Sequence, residues 1–247
     1  MRNLLRVRQE RTGVAVIVMP SNASGWFWHC LARETGRIGH LYSPGAQRGP
    51  WPWFPYALDN GAFSCWDMDS NTFSEIKWAG IEPEWKRLLL WCQCANIKPM
   101  WAIVPDVPGN SVATVDRWSR FALTVQNAGI PLAVAVQDGM DADTVRRLNP
   151  TPSVVAVGGT TEWKWGTVEM WCAEFPRVHL LRCNSPEKVR FLDSIGCEST
   201  DGTGWNRGDV TQTRGLEEWA RENPKPNFPS IYSFACKQPR RGQIAFA

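Results

Sequence analysis

The chain has 247 residues and a formal net charge of +3 at pH 7. This length fits one large domain, and the small charge excludes a polycation that binds nucleic acid by charge alone. The apolar run 14–19 is shorter than the core of a secretion signal and far shorter than the roughly 20 residues of a membrane-spanning helix. We therefore expect a cytoplasmic protein with no membrane partner.

Eight cysteines and fifteen tryptophans are scattered along the chain. Because no secretion signal precedes the cysteines, we expect reduced thiols that mostly fill the core. Many of the tryptophans should also pack in the core. A few could be exposed as stacking surfaces for nucleobases.

Short apolar runs alternate with segments that have apolar residues at helical spacing. The predicted strands are bounded by glycine, proline or asparagine; they are 14–19, 38–42, a run ending at Leu58, 100–104, 132–136, 154–157, 178–181 and 197–200. The predicted helices are a short one ending at Glu34, then 82–95, 112–128, 141–148, 167–175, 186–195 and 214–222. The proline-rich segment 43–55 is predicted to be a loop over one end of the sheet.

Eight strands that alternate with helices predict an α/β fold of the (β/α)8 TIM-like barrel type, with short or irregular early helices. The barrel core should cover about 14–222 within a single domain, 1–247. Residues 223–247 form a basic tail broken by prolines. No internal repeat and no second domain are apparent.

Several predicted strands end in a polar residue or in glycine. If the strands close into a barrel, six of these residues gather on one rim: Asp59, Asp106, Gln137, Gly159, Arg182 and Asp201. Taken alone, Asp59 before Asn60 and Gly61 is equally typical of a hairpin turn. The convergence of six strand ends favours a functional site.

The residue types on this rim indicate a chemistry. Two carboxylates suit glycosidic chemistry, because one can attack an anomeric carbon while the other transfers the proton of the leaving or arriving group. An acid, an amide and exposed backbone amides match the donors and acceptors of a purine-like heterocycle. At Gly158 and Gly159, bare backbone could approach a flat ligand closely.

From about Val14 to Arg207 the chain resembles the tRNA-guanine transglycosylases, and more closely their small DNA-modifying relatives that insert 7-deazaguanine bases into phage or bacterial DNA. The segment 59–63, Asp-Asn-Gly-Ala-Phe, is similar to the family's Asp-Ser-Gly-Gly-Phe element. The segment 136–139, Val-Gln-Asp-Gly, is similar to Val-Gln-Gly-Gly. Gly158 and Gly159, with Glu162 downstream, resemble a Gly-Gly segment and glutamate that contact the heterocycle.

The resemblance implies a role for each matching residue. Asp59 would be the general acid/base and Asp106 the acid that reads the base, while Asp201 occupies the nucleophile's place. Asp201 would attack the nucleoside C1′ and expel guanine, and an incoming 7-deazaguanine such as preQ0 would resolve the covalent intermediate. The predicted substrate-binding residues are Asp106, Gln137, Gly158, Gly159, Glu162 and Arg182. No cofactor is expected.

The sequence departs from the tRNA enzymes at their zinc site, which has a Cys-x-Cys-x-x-Cys motif and a distant histidine. Here only Cys92 and Cys94 come close, so we expect no metal. We predict that His29 and His179 are packing or surface groups and that His40 faces the rim loop. The missing motif favours DNA over tRNA as the partner and leaves the oligomeric state open.

Reaching a base in DNA requires that the base is flipped out. An exposed tryptophan, either Trp53 in the loop 50–54 or Trp205, is predicted to stack in the gap, with Arg207 and the terminal arginines on phosphates. Alternatively, these tryptophans simply pack the barrel mouth.

Two other functions stay open. One is a barrel glycoside or amide hydrolase that uses Asp59 and Asp201. The other is a non-catalytic nucleic-acid-binding module that uses the tryptophans and terminal arginines. We prefer the transglycosylase hypothesis because neither alternative explains Gln137 and the Gly158-Gly159 pair at adjacent strand ends.

Overall fold

The computed structural model describes residues 16–21, 25–45, 55–67, 70, 72–207 and 210–224. Trp53, most of the loop 43–55, the terminal arginines and the tail beyond residue 224 lie outside the described residues, and so do the predictions made for them. Among the helices in the described ranges, none is long and apolar enough to cross a membrane.

Eight short parallel strands form the central sheet. They are β1 Ile17–Pro20, β2 His40–Tyr42, β3 Tyr56–Leu58, β4 Ala102–Ile103, β5 Leu132–Val136, β6 Val154–Val157, β7 Val178–Leu180 and β8 Ser199–Gly202. Their spatial order is β1-β8-β7-β6-β5-β4-β3-β2. Isolated parallel bridges from Val18 to Ile38 and from Ser21 to Leu41 link β1 to the β2 side, so the sheet is a nearly closed barrel. The (β/α)8 prediction is confirmed.

Helices surround the sheet. They are α1 Trp26–Thr35, α2 Glu75–Cys94, α3 Ser111–Asn127, α4 Ala142–Arg146, α5 Thr161–Glu174, α6 Pro186–Ser194, α7 Gly204–Arg207 and α8 Val210–Glu222. Between β3 and α2, the chain forms a 3-10 helix, Ala62–Cys65, and a small antiparallel hairpin of Trp66–Asp67 with Thr72–Phe73. Neither element was predicted from the sequence.

Two helices begin earlier than predicted, because a side chain caps the first turn of each. The Ser74 side chain accepts a hydrogen bond from Lys77 N, so α2 begins at Glu75 rather than residue 82. Pro83, which is typical of a helix start, lies inside α2. The Thr160 side chain caps α5 in the same way, so α5 begins at Thr161 rather than residue 167.

Alternating side chains divide the core into two layers. One layer lies between the strands and the helices and includes Val178 and Leu180 of β7. The other layer fills the barrel interior with mostly small or branched side chains and one large ring: Ile17, Met19, Leu41, Ala57, Trp101, Ile103, Ala133, Ala135, Val154 and Ala156. Because His179 lies between Val178 and Leu180, its side chain points into the interior.

Strand β8 lies two residues further along the chain than predicted. The prediction was 197–200, and the observed strand pairs Asp201 with Met19 and Gly202 with Pro20 of β1. Asp201 is therefore held inside a strand rather than in the turn that follows it. The backbone on both sides of this carboxylate is fixed by the sheet.

Candidate active site

Three carboxylates share the end of the barrel where the strands terminate. Asp59 follows β3 directly, Asp106 lies beyond β4, and Asp201 lies near the end of β8. They are close enough that the charge of Asp201 raises the pKa of Asp59, and the charge of Asp59 raises that of Asp106. Gln137 and Gly159, after β5 and β6, join the same group through hydrogen bonds.

Asp59 is held by the turn that follows β3. Its Oδ1 accepts from Asn60 N at 2.9 Å, and its Oδ2 accepts from Ser43 Oγ at 3.1 Å. Gly61 has φ 75°, and a Cβ there would lie 3.0 Å from Pro44 Cγ, so both backbone conformation and space require glycine. Burial raises the pKa of Asp59, and the charge of Asp201 raises it further. Asp59 can thus keep a proton at a pH where a free aspartic acid is ionised.

Asp106 and Gln137 form the centre of a buried network that ties four strand ends together. Asp106 Oδ1 accepts from Asn60 Nδ2 at 2.8 Å, and Asp106 Oδ2 accepts from Gln137 Nε2 at 2.7 Å. Gln137 Oε1 accepts from Gly109 N at 3.0 Å and from Gly159 N at 3.1 Å. The two N–H donors fix the orientation of the Gln137 amide. Asn60, predicted only as a turn residue, is a structural part of the site.

The titration of Asp106 should be visible in the stability of the fold. Burial raises the pKa of Asp106 from 3.8 to about 6, and the charge of Asp59 adds to this while the Asn60 hydrogen bond opposes it. Because the folded-state pKa is raised, the stabilising contribution is present below the unfolded pKa and is lost as pH rises through about 6. We expect the free energy of unfolding of the wild type, relative to Asp106→Asn, to fall by about 2 kcal/mol between roughly pH 4 and 8.

Urea denaturation of both proteins across this pH range measures that difference. Asp141→Asn is a useful control, because hydrogen bonds from Thr144 lower the pKa of Asp141. The contribution of Asp141 is present above its usual pKa of 3.8 and is lost only as pH falls below that value, so the wild-type minus Asp141→Asn difference should stay nearly constant between roughly pH 5 and 8. A wild-type minus Asp106→Asn difference that stays constant with pH would show that Asp106 is not held in its neutral form by burial.

The two glycines after β6 are required by close packing. A Cβ on Gly158 would lie 3.2 Å from Val136 O, and a Cβ on Gly159, where φ is 76°, would collide with the Asp138 carboxylate. Asp138 in turn accepts from Thr160 N at 2.7 Å and Thr160 Oγ1 at 2.6 Å. The Gly159 N–H is donated to Gln137. Gly159 therefore orients the amide and does not offer that N–H to a ligand.

Asp201 is only 5% exposed and is held by two donors. Its Oδ1 accepts from Arg182 N at 2.8 Å and lies 3.2 Å from His179 Nε2. The other ring nitrogen, His179 Nδ1, lies 2.9 Å from Ser199 Oγ, and the ring packs 4.5 Å from the Trp101 ring. His179 is buried and packs in the core, as one of the two predicted possibilities had it, but its contact with the predicted nucleophile was not predicted.

Arg182 contributes both backbone and side chain to the rim. Its φ of 58° is unusual for a residue with a side chain and directs its N–H to Asp201. The Arg182 carbonyl accepts from Lys164 Nζ at 2.9 Å. The guanidinium lies 3.7 Å from the centroid of the Phe63 ring. Because β3 and β7 lie on opposite sides of the barrel, this stacked pair spans its mouth.

The remaining predicted site residues lie on the helices that follow β6 and β8. Glu162 is exposed on the first turn of α5, and Arg207 is exposed at the end of α7. Trp205 is 1% exposed, so the prediction that it stacks on nucleic acid was wrong. Its indole packs against Gly202, where an added Cβ would lie 2.9 Å from Trp205 Nε1. Trp205 therefore supports the backbone of β8 next to Asp201.

The two other histidines do not reach the acids. His40 is buried in β2, and its ring stacks 4.1 Å from the Tyr42 ring on the helix-facing side of the sheet. The prediction that His40 faces the rim loop was therefore wrong. Burial lowers the pKa of His40 to about 4. His29 is buried on α1 beside Trp26.

The described part of the chain contains no group of three or more histidine, cysteine, aspartate or glutamate residues arranged to hold a metal ion. On α2, Cys92 is buried and Cys94 is exposed, so the two side chains do not converge. The seven cysteines within the described ranges are free thiols.

A scan against protein-family models gives no match for this chain, and a search of curated proteins gives no sequence match. The function must therefore be inferred from the residues at the barrel mouth.

Proposed function

We propose that the chain is a pentosyltransferase that replaces guanine in DNA by a 7-deazaguanine such as preQ0, through a covalent bond to Asp201. The observation that carries this proposal is the unequal environment of two neighbouring acids. Burial and the charge of Asp201 favour the protonated form of Asp59. Asp201 differs from Asp59, because one of its oxygens is held by two nitrogen donors, the Arg182 backbone N–H and the His179 ring. One acid is thus suited to donate a proton and the other to attack carbon.

The reaction then has two balanced steps. In the first, an oxygen of Asp201 forms a bond to C1′ of the nucleotide while the bond from C1′ to guanine N9 breaks, and Asp59 gives its proton to the departing base. In the second, N9 of the incoming 7-deazaguanine attacks C1′, the ester bond to Asp201 breaks, and Asp59 takes the N9 proton. The carboxylate of Asp201 and the protonated Asp59 are both restored.

The Asp106 and Gln137 pair supplies the base recognition. A carboxylate can accept from the N1–H and N2–H groups of guanine, and the second N–H of Gln137 Nε2 can donate to O6. Since a 7-deazaguanine has the same edge, one pocket accepts both the departing and the incoming base. A glycoside hydrolase has no need for such a carboxylate and amide pair beside its two catalytic acids.

DNA is the proposed polymer because the 247 residues contain no Cys-x-Cys-x-x-Cys motif of the kind that the zinc-bearing tRNA enzymes use. The target base must leave the helix to reach acids that are buried in a barrel mouth, at a cost of a few kcal/mol in duplex DNA. The exposed guanidiniums of Arg182 and Arg207 are available for phosphates. With two phosphate contacts, binding should weaken by roughly tenfold when the salt concentration rises from about 50 to about 200 mM.

The test is an exchange assay with labelled guanine and labelled preQ0, offered with single-stranded DNA, duplex DNA and tRNA at low salt. We expect label to enter DNA, fastest where the base is already unpaired, and Asp201→Ala to incorporate none. Label that entered tRNA but neither form of DNA would refute the choice of polymer and favour a tRNA-guanine transglycosylase. Release of guanine without an incoming base would favour a hydrolase, and nucleic-acid binding that needs neither acid would favour a non-catalytic module.

A further inference from the structure

The barrel interior holds a second polar side chain directly behind Asp201. On β7, His179 points inward between two residues of the outer layer. On β8, Ser199 pairs with His179, and Ser199 and Asp201, two residues further on, both point inward. His179 has no exposed surface. Its Nδ1 lies 2.9 Å from Ser199 Oγ and its Nε2 lies 3.2 Å from Asp201 Oδ1, while Trp101 covers one side of the ring.

These contacts assign the protons. An ionised carboxylate only accepts hydrogen bonds, so the contact with Asp201 requires a proton on His179 Nε2. In the neutral ring, Nδ1 then accepts from the Ser199 hydroxyl. Ser199, His179 and Asp201 form a chain of hydrogen bonds that leads from the barrel interior to the mouth.

Both donors to Asp201 meet the same oxygen. The Arg182 N–H and the His179 ring approach Oδ1, and among the residues that the structure describes no hydrogen bond ends on Oδ2. One donor belongs to the backbone and the other to a ring packed in the core. Neither can follow a rotation of the carboxylate, so the two together select one orientation.

We propose that His179 is a positioning residue that fixes the Asp201 carboxylate through Oδ1, so that Oδ2 is the oxygen that attacks C1′. The chemical part of this inference rests on the proposed transglycosylase function, whereas the orientation of the carboxylate does not. When Oδ2 forms the ester, Oδ1 becomes its carbonyl oxygen. When the ester breaks, charge returns to the carboxylate, and the two N–H donors stabilise it. His179 therefore acts on turnover rather than on DNA binding.

Three substitutions separate the hydrogen bond from the packing. In His179→Gln, the amide nitrogen lies as many bonds from the backbone as Nε2, so it can still donate to Oδ1. In His179→Asn, the amide reaches only the Nδ1 position near Ser199. In His179→Phe, the ring against Trp101 is kept and both nitrogens are lost.

We expect His179→Phe and His179→Asn to lower kcat for exchange by about 100-fold or more, with KM for DNA changed less than about threefold. His179→Gln should recover kcat to within about tenfold of the wild type. Ser199→Ala, which removes only the partner of Nδ1, should give a smaller loss. Equal kcat in the Gln and Asn variants, or a wild-type kcat in the Phe variant, would overturn the proposal. The Gln and Asn comparison decides the matter even if the Phe variant fails to fold.

A second measurement does not depend on activity. The chain has three histidines, so nitrogen-15 labelling of histidine gives a simple NMR spectrum. We expect the His179 ring to carry its proton on Nε2. The signal of this ring should disappear in His179→Gln and move in Asp201→Asn. A proton found on Nδ1 with Nε2 bare would overturn the proposal. If the wild type exchanged no base but showed this Nε2–H signal, the proposed function would fail while the positioning geometry stood.

Discussion

Replacing Asp201 with alanine should abolish base exchange, lowering the rate by roughly four orders of magnitude or more. One oxygen of Asp201 is held by both a ring N–H and a backbone N–H. Within the part of the chain that the structure describes, no other acid at the barrel mouth has such an oxygen. The variant should also form no covalent adduct with DNA. Wild type and variant can be compared by gel electrophoresis after denaturation of a mixture with guanine-containing DNA.

Asp201→Asn is the matched control for shape. It keeps the size of the side chain and an oxygen that can accept from Arg182, but it removes the negative charge of the nucleophile. Both variants should bind DNA with an affinity close to that of the wild type, since Asp201 lies below the exposed rim. An Asp201→Ala protein that still formed a denaturation-resistant complex would show that another group attacks C1′.

Replacing Asp59 with asparagine should lower turnover by roughly 100-fold or more while DNA binding is retained. Asparagine keeps an oxygen that accepts from Asn60 N, and the Ser43 hydroxyl can accept from the new amide. Because burial raises the pKa of Asp59, the ionised acid destabilises the fold at high pH, and the variant should be at least as stable there. Wild-type turnover in Asp59→Asn would assign proton transfer to another residue.

The raised pKa of Asp59 also determines how the rate of adduct formation changes with pH. Asp59 donates its proton in the first step, so the wild-type rate of adduct formation should fall as pH rises through the pKa of Asp59, by about tenfold per pH unit above it. The residual rate of Asp59→Asn should not show this fall. Saturating DNA is required, because Asp106 titrates near pH 6 and would affect base recognition.

The barrel was predictable because its strands are continuous apolar runs separated by clear breaks. Strands β5 and β6 have the predicted bounds, 132–136 and 154–157. The errors lie at the ends of helices and strands, where a single side chain can determine the residue at which a helix begins. Ser74 and Thr160 start α2 and α5 early by capping their first turns. The 3-10 helix and hairpin after β3 have too few residues for any periodic pattern to reveal them.

Much of the candidate site could be inferred from strand ends, but residues inside the barrel could not. Asp59, Asp106 and Gln137 each follow a strand in the sequence, and they lie together in the structure. His179 looked like a packing residue because a single histidine in an apolar strand has that role more often. The alternation of side chains along β7 and β8 could have indicated the contact of His179 with Asp201. This alternation places His179, Ser199 and Asp201 on the side of the strands that faces the barrel interior.

Trp205 was predicted to be exposed at the site, and it is buried. A tryptophan after a Gly-Thr-Gly turn is typical of an exposed loop, but the short helix α7 turns this side chain back onto Gly202. Burial of a large side chain depends on neighbouring elements, which a local sequence pattern does not specify. The unusual backbone of Arg182 is also set by distant partners, Lys164 and Asp201, and no local pattern predicts it.

The most direct test of the account is to find the atom that carries the covalent intermediate. Wild-type protein is mixed with guanine-containing DNA, quenched in acid, treated with nuclease and trypsin, and analysed by mass spectrometry. The account predicts a deoxyribose-containing adduct on the tryptic peptide 191–207, with fragmentation placing it on Asp201. An adduct on the peptide 49–77, which contains Asp59, or base exchange that proceeds with no adduct on either peptide, would contradict it.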